Sequence, residues 1–268
     1  MTETTDGLER AAYHVRSLER GLAVIRCFAA DTPELTLSDV ARATGLTRAA
    51  ARRFLLTLVD LGYVRTDGKL FSLTPRVLEL GYAFLSSLSL PEIAQPHLEK
   101  LSAEVRESSS VAVLDGADVV YVARVPVSRI MTVAINLGTR FPAYATSLGH
   151  VLLAGLDDAR LSSYLDTIRL DPLTPHTITS GASLRAELAI VREQGWALVD
   201  QELEAGLRSV AAPIRDRSGR VVAAVNVSTH ASRTSTEAAQ ETILPLLLAT
   251  VSRIESDLRV GIRSSARG

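Results

Sequence analysis

Arg48, Arg52 and Arg53, with Arg42, Arg65 and Lys69 around them, are the side chains whose type and spacing suggest the most specific chemistry in this sequence. Guanidinium groups bind phosphates and form paired hydrogen bonds with guanine. Set against Asp60 and Asp67, these six leave residues 42–69 with an excess of four positive charges, in a chain whose formal net charge is −1. The basic character is local, and a concentrated basic face is what displaces counterions from a duplex.

Other chemistries have little support. The histidines at 14, 97, 150, 176 and 230 are scattered, with no spacing suited to a metal site or a triad. The G-x-S-x-G elbow, the H-E-x-x-H helix and the phosphate-binding loop are all missing. Cys27, the single cysteine, rules out an internal disulfide and a cysteine-based zinc cluster, and is expected to be an inert thiol buried in a helix. No metal and no cofactor are expected. No uncharged apolar run reaches the 18 residues of a membrane span, and MTETTDGLERAAYHVR does not read as a secretory signal, so a cytoplasmic location is expected.

The basic cluster needs elements to present it. A first helix is expected over Ser17–Ala30, with Leu18, Gly21, Leu22, Ile25 and Phe28 inward. Val40 and Ala41 give a second helix an apolar edge, and Gly45 supplies the positive φ of a tight turn. Leu46 plugs the corner, and Thr47 caps a helix that begins at Arg48. Along that helix Ala51, Phe54, Leu55, Leu58 and Leu61 fall at helical spacing and form the core face. Arg48 with Arg52, and Ala49 with Arg53 and Thr57, are four apart on the outer face, slim enough to enter a major groove. Asp67-Gly68 then marks a hairpin turn with Arg65 and Lys69 on either side of it. Helix, turn, basic helix and hairpin make a winged helix-turn-helix. The candidate DNA contacts are Thr47, Arg48, Ala49, Arg52, Arg53, Thr57, Arg65 and Lys69.

With 268 residues, 47% of them hydrophobic, the chain has material for two domains. Pro75 suits the first turn of a further helix, and the apolar stretch to residue 90 reads as a linker helix partly covered by a partner chain or by its own domain. Beyond it the pattern gives a helix over Pro91–Arg106, a hairpin turning at Asp115-Gly116, and a strand from Arg129 towards Gly138. Helices follow over Leu148–Leu156, Asp157–Leu165 and Leu184–Gln194. Strands are expected at Trp196–Val199, Val210–Arg215 and Val221–Ser228, and a closing helix over Glu237–Arg259. The whole is α+β, with a mainly antiparallel sheet in its C-terminal domain. The expected boundaries are 14–74, 75–90 and 91–260.

Four collinear blocks carry a resemblance to a family: SLERGLAVIRCF, LTRAAARRFLLTLVDLGYV, LGTRFPAYATSLGHVLLA and GLRSVAAPIRDRSGRVVAAVNVS. The chain resembles IclR-type bacterial transcriptional regulators over nearly its full length. The stretch RIMTVAINLGTRFPAYATSLGHVLLA is similar to the branch that controls β-ketoadipate and hydroxybenzoate catabolism. The resemblance implies a winged helix-turn-helix, a GAF-like effector domain, homodimers or dimers of dimers on double-stranded operator DNA, and small organic acids as effectors. Many members carry hydroxyl residues where this chain has Ala49 and Ala50, which shifts weight to the arginines.

The resemblance also implies an effector site at Ile130, Ser147, Asp200, Leu207, Ser209, Asn226 and Ser228. The residues themselves agree in part. Asn226 and Ser228 alternate within the apolar run VVAAVNVS and so share one face, where buried polar groups need partners. A helix starting near Ser147 offers free N–H groups to an anion, and Gly206 permits close backbone approach. Arg124, Arg129 and Arg208 are possible counter-charges, and Asp200 is as well suited to pairing with an arginine as to meeting a ligand. The alternative from another class is an enzyme acting on a small organic acid, with a fused DNA-binding module.

Overall fold

The computed structural model describes residues 14–29, 32–80, 89–127 and 135–265. The chain divides into two compact units, Met1–Ser86 and Ser87–Gly268.

In the first unit α1 (Arg16–Arg26), α2 (Leu37–Thr44) and α3 (Arg48–Asp60) enclose Val24, Val40, Ala41, Ala51, Leu55, Leu58, Val64 and Phe71. Thr36 starts α2 through a capping box with Asp39, and Gly45 ends it in the left-handed region at φ 66°. Thr47 caps α3 by accepting from Ala50 N at 3.2 Å. Strands β2 (Val64–Thr66) and β3 (Leu70–Leu73) form the hairpin, and β1 (Glu34–Thr36), which the sequence pattern does not announce, adds to β3 to make three strands. A three-residue strand is too short for alternation to show.

Three inward assignments are corrected. On α1, Val24 is fully buried, whereas Leu18 is 62% and Leu22 47% exposed. The apolar residues of α1 cover more than one face, and the domain uses only the one that contains Val24. Leu61 is 51% exposed because it lies beyond the last helical residue, at the C-cap of α3. Cys27 likewise follows α1 rather than lying within it; it is half-buried and donates to Val24 O. Ala30 lies outside the described residues.

After Thr74 the chain makes a 3-10 turn, Pro75–Leu78, in place of the start of a regular α-helix. Residues 81–88 of the expected linker helix lie outside the described residues.

The second unit is built on a six-stranded antiparallel sheet. Its strands are β4 (Ser108–Asp115), β5 (Asp118–Val125), β6 (Arg140–Pro142), β7 (Ala197–Asp200), β8 (Leu207–Arg215) and β9 (Val221–His230), in the order β6-β5-β4-β9-β8-β7. One face packs on α4 (Ser89–Val105) and on α8 (Leu244–Ser265), through Leu98, Leu101, Val225, Leu247 and Ile254. The other face, carrying Ala112, Tyr121, Ala211 and Ala224, lies against α5 (Ser147–Ala154) and α7 (Gly181–Gln194), with α6 (Asp158–Thr167) beyond. A short helix Thr236–Ala238 and a π-helical segment Ala239–Ile243 lead into α8, so the closing helix is not regular α throughout. Pro213 is tolerated in β8 because pairing with β7 stops at Ala211, leaving its missing N–H without consequence on that side. Most of the strand expected from Arg129 lies outside the described residues.

All eight residues of α5 are buried. A Cβ on Gly149 would fall 1.9 Å from the carbonyl oxygen of Ala143, so the turn before α5 can close only over glycine. Thr146 caps this helix by accepting from Gly149 N.

Candidate functional site

On the first unit the outer surface of α3 exposes Arg48, Ala49, Arg52, Arg53 and Thr57. No ion pair among the described residues engages any of these three arginines, so their charge is available to a duplex. The Thr57 hydroxyl donates to Arg53 O at 2.9 Å, which leaves it only its acceptor lone pairs for a base or phosphate. Thr47 is half-committed to capping α3. On the hairpin, Arg65 is exposed, and its Nε donates to Ser72 Oγ at 3.0 Å, which ties the guanidinium to the hairpin surface. Lys69 is exposed at the tip, where Asp67 Oδ1 accepts from the N–H groups of Lys69 and Leu70 and shapes the turn. These bonds hold the Asp67 carboxyl below the usual carboxylate range. Arg42 differs from the others: it pairs with Asp39 on its own helix and adds little to the basic face.

On the second unit the register of the sheet assembles a polar seam on the face that meets α5. Ser110 lies between Arg124 on β5 and Asn226 on β9, and Ser228 lies between Ser108 on β4 and Ser209 on β8. Ser147, the first residue of α5, closes the seam with a 2.7 Å hydrogen bond between its hydroxyl and that of Ser209. Asn226 Nδ2 donates to Ser228 Oγ at 3.1 Å, and Arg124 Nη1 donates to Ser110 Oγ at 3.1 Å.

Two buried atoms in this seam have no protein partner, Arg124 Nε and Asn226 Oδ1. Asn226 is only 3% exposed, so bulk water does not compensate. Tyr121 lies beside them on the same face. Burial pushes its hydroxyl up to about 12, opposed by the nearby Arg124 charge, and burial lowers the Arg124 pKa. The seam therefore presents one cation, hydroxyl groups and an amide oxygen in a dry setting, which suits a small anion carrying a hydrogen-bond donor.

The residues implied by resemblance do not all meet there. Ser147, Ser209, Asn226 and Ser228 do, and Leu207 is on the same face of β8 by alternation. Asp200 does not: it pairs across β7 and β8 with Arg208, accepting through both carboxylate oxygens at 2.9 Å. Arg208 alternates with Ser209 and so belongs to the opposite face, where its guanidinium also donates to the Thr234 and Ala231 carbonyls. Ile130 and Arg129 lie outside the described residues. Ser110 and Tyr121 are additions that sequence reasoning missed. The serine run at 108–110 was a usable signal for the first; the second depends on a bulge that one sequence does not reveal.

Among the described residues no group of three or more His, Cys, Asp or Glu side chains is placed to hold a metal ion. No described helix is long and apolar enough to cross a membrane.

Comparison with known proteins agrees with this architecture. Residues 17–68 match the IclR helix-turn-helix domain, and residues 82–256 match the bacterial transcriptional regulator IclR C-terminal domain. The Pca regulon regulatory protein of Pseudomonas putida is 47% identical over 234 residues, covering 87% of this chain and 80% of that protein. A crystal structure from Rhodococcus sp. RHA1, described as a transcriptional regulator, shares 64% identity at a TM-score of 0.83, over 92% of this chain and 99% of that one. An IclR homologue from Microbacterium hydrocarbonoxydans, crystallised with 4-hydroxybenzoate, shares 28% identity at a TM-score of 0.81, over 91% of this chain and 99% of that one. These relatives are regulators, which sets aside the enzyme alternative. This chain belongs to the IclR family and is a DNA-binding transcriptional regulator with an effector-binding C-terminal domain.

Proposed function

We propose that this regulator senses a small aromatic acid of the hydroxybenzoate type and adjusts its hold on operator DNA for genes of aromatic acid catabolism. The observation that carries the ligand reading is the pair of buried, unpartnered atoms in the seam. Arg124 Nε faces an anion's place and Asn226 Oδ1 a donor's place, so a carboxylate with a hydroxyl group would satisfy both. The Microbacterium relative crystallised with 4-hydroxybenzoate supports the same class. Ser147, Ser209 and Ser228 complete the contact set, with Leu207 as an apolar wall; Asp200 pairs with Arg208 on the opposite face instead of touching the ligand.

In this reading residues 14–74 bind DNA, 75–90 connect, and 91–260 bind the effector. Arg48, Arg52 and Arg53 enter the major groove with Ala49 between them, while Thr47, Thr57, Arg65 and Lys69 meet the backbone. Val15, Leu18 and Leu22 leave an exposed apolar stripe along α1 and the residue before it, which favours a homodimer; dimers of dimers would extend the contact over more operator. Such a regulator works in the cytoplasm. Thermal denaturation with 4-hydroxybenzoate, protocatechuate and β-ketoadipate tests the ligand reading. The hydroxylated aromatic acids are expected to raise the midpoint with concentration. A response to β-ketoadipate alone would overturn the class.

A further inference from the structure

We propose that Glu202 is a proton-operated latch beside the ligand seam, in which a protonated Glu202 lets the β7–β8 loop stay packed beside the neutral His150 of α5 and an ionised Glu202 loosens it. The inference deepens the ligand-site reading and rests on it for its functional meaning.

The geometry comes from two elements that the seam already uses. His150 is fully buried one helical turn along α5 from Ser147. Glu202 is 9% exposed in the loop that leads into Leu207 and Ser209. Their side chains approach to 3.9 Å, too far for a hydrogen bond, and both His150 Nδ1 and Glu202 Oε2 lack any partner. His150 Nε2 donates to Tyr144 O at 2.7 Å, which spends the ring's one proton. Burial pushes the imidazole down to about 4, so it stays neutral and offers Glu202 no counter-charge.

The surroundings of Glu202 supply none either. Glu187 on α7 and Asp200 on β7 bring negative charge, and Arg208 on β8 is already committed to Asp200. The turn at Thr174–Thr177 contributes only hydroxyls, donated to the Gln201 and Glu202 carbonyls, and its His176 is exposed. Burial pushes the Glu202 carboxyl up to about 7; a backbone hydrogen bond from Ile178 opposes the rise, and Glu187 and Asp200 add to it. A neutral acid is tolerated in such a place and a carboxylate is not.

The loop also holds one strained residue. Gln201 has a left-handed backbone at φ 63° without being glycine, whereas Gly206 takes φ 83° freely and must stay glycine, because an added Cβ would fall 2.8 Å from His230 Nε2. Gln201 Oε1 accepts from Gly206 N, and Leu207 N donates to Glu204 O, so these two amide protons report directly on whether the loop is closed.

The sign follows from linkage. An acid whose pKa is higher folded than unfolded contributes fully below the unfolded value, and that contribution is lost as pH rises to the folded value. For Glu202 the window runs from about 4.5 to about 7. The test is amide hydrogen exchange of the full-length protein at Gly206 and Leu207, corrected for intrinsic exchange, across pH 5 to 8, for wild type and Glu202→Gln. The opening constant of wild type is expected to rise with pH, by up to about tenfold per unit, until it levels above pH 7, and to stay flat in the variant. A carbon NMR titration of the wild-type Glu202 carboxyl reads the same group without any substitution. A midpoint between 6 and 8 supports the latch; a midpoint near the ordinary glutamate value, or equal slopes in the two proteins, overturns it. The ligand reading fails separately, if 4-hydroxybenzoate gives no stabilisation at any pH.

Discussion

Tyr121 and Arg124 face the same side of the sheet although they are three positions apart. In a regular strand an odd separation puts two side chains on opposite faces. Here Ala112 pairs with Tyr121 and Val111 with Ala123, so Val122 is the extra residue of a β-bulge, and the alternation resets before Arg124. The bulge converts a lone arginine into the cation of a seam that also holds Ser110 and Asn226.

Arg124→Ala is expected to lower affinity for 4-hydroxybenzoate by about 1.5–3 kcal/mol, the usual worth of a hydrogen bond to a charged group. Isothermal titration calorimetry measures it. Arg124→Lys should recover little, because an ammonium lacks the fork that engages Ser110 and a carboxylate together.

Asn226→Val separates ligand binding from folding. Removing the amide abolishes an unsatisfied buried oxygen, so stability without ligand should hold or rise, by up to about 1–3 kcal/mol less the lost bond to Ser228. Stabilisation by the aromatic acid should disappear. A variant that is destabilised yet still responds to ligand would show that Asn226 serves the core alone.

How much of this was legible in the sequence depended on how local the determinant was. Thr47, Gly45 and Asp67-Gly68 act through their immediate neighbours, and so the basic helix and its hairpin could be placed from residue order. Strand alternation likewise put Asn226 and Ser228 together. Leu18 and Leu22 fit an inward face by spacing alone, because an apolar helix does not announce which of its faces the domain will cover. For Asp200 the sequence leaves pairing with an arginine and contact with a ligand both open, because its partner Arg208 is across a strand pair, a register known only from the folded sheet. Ser110 and Tyr121 needed both that register and the bulge.

Gly149→Ala should damage the effector domain severely. The new methyl would meet backbone, which cannot rotate away as a side chain could. Overpacking of this kind costs about 1–3 kcal/mol or more, and thermal denaturation should show it as a lowered midpoint for the second unit.

On the DNA-binding unit Arg52→Ala and Arg65→Ala should differ in kind. If Arg52 reads a base, its loss weakens operator binding by about 1–3 kcal/mol and relaxes preference at one position. Arg65→Ala should weaken all sequences alike and reduce the salt slope by about 0.9. Fluorescence anisotropy over a salt series separates the two.

The most direct measurement is operator affinity by footprinting on the regulator's own upstream region, with and without saturating 4-hydroxybenzoate or protocatechuate. Coupling between the seam and the arginine face predicts a change of about 5- to 150-fold in the protein concentration needed for protection. Undiminished and unenhanced protection, in a sample that demonstrably binds the acid, would contradict it.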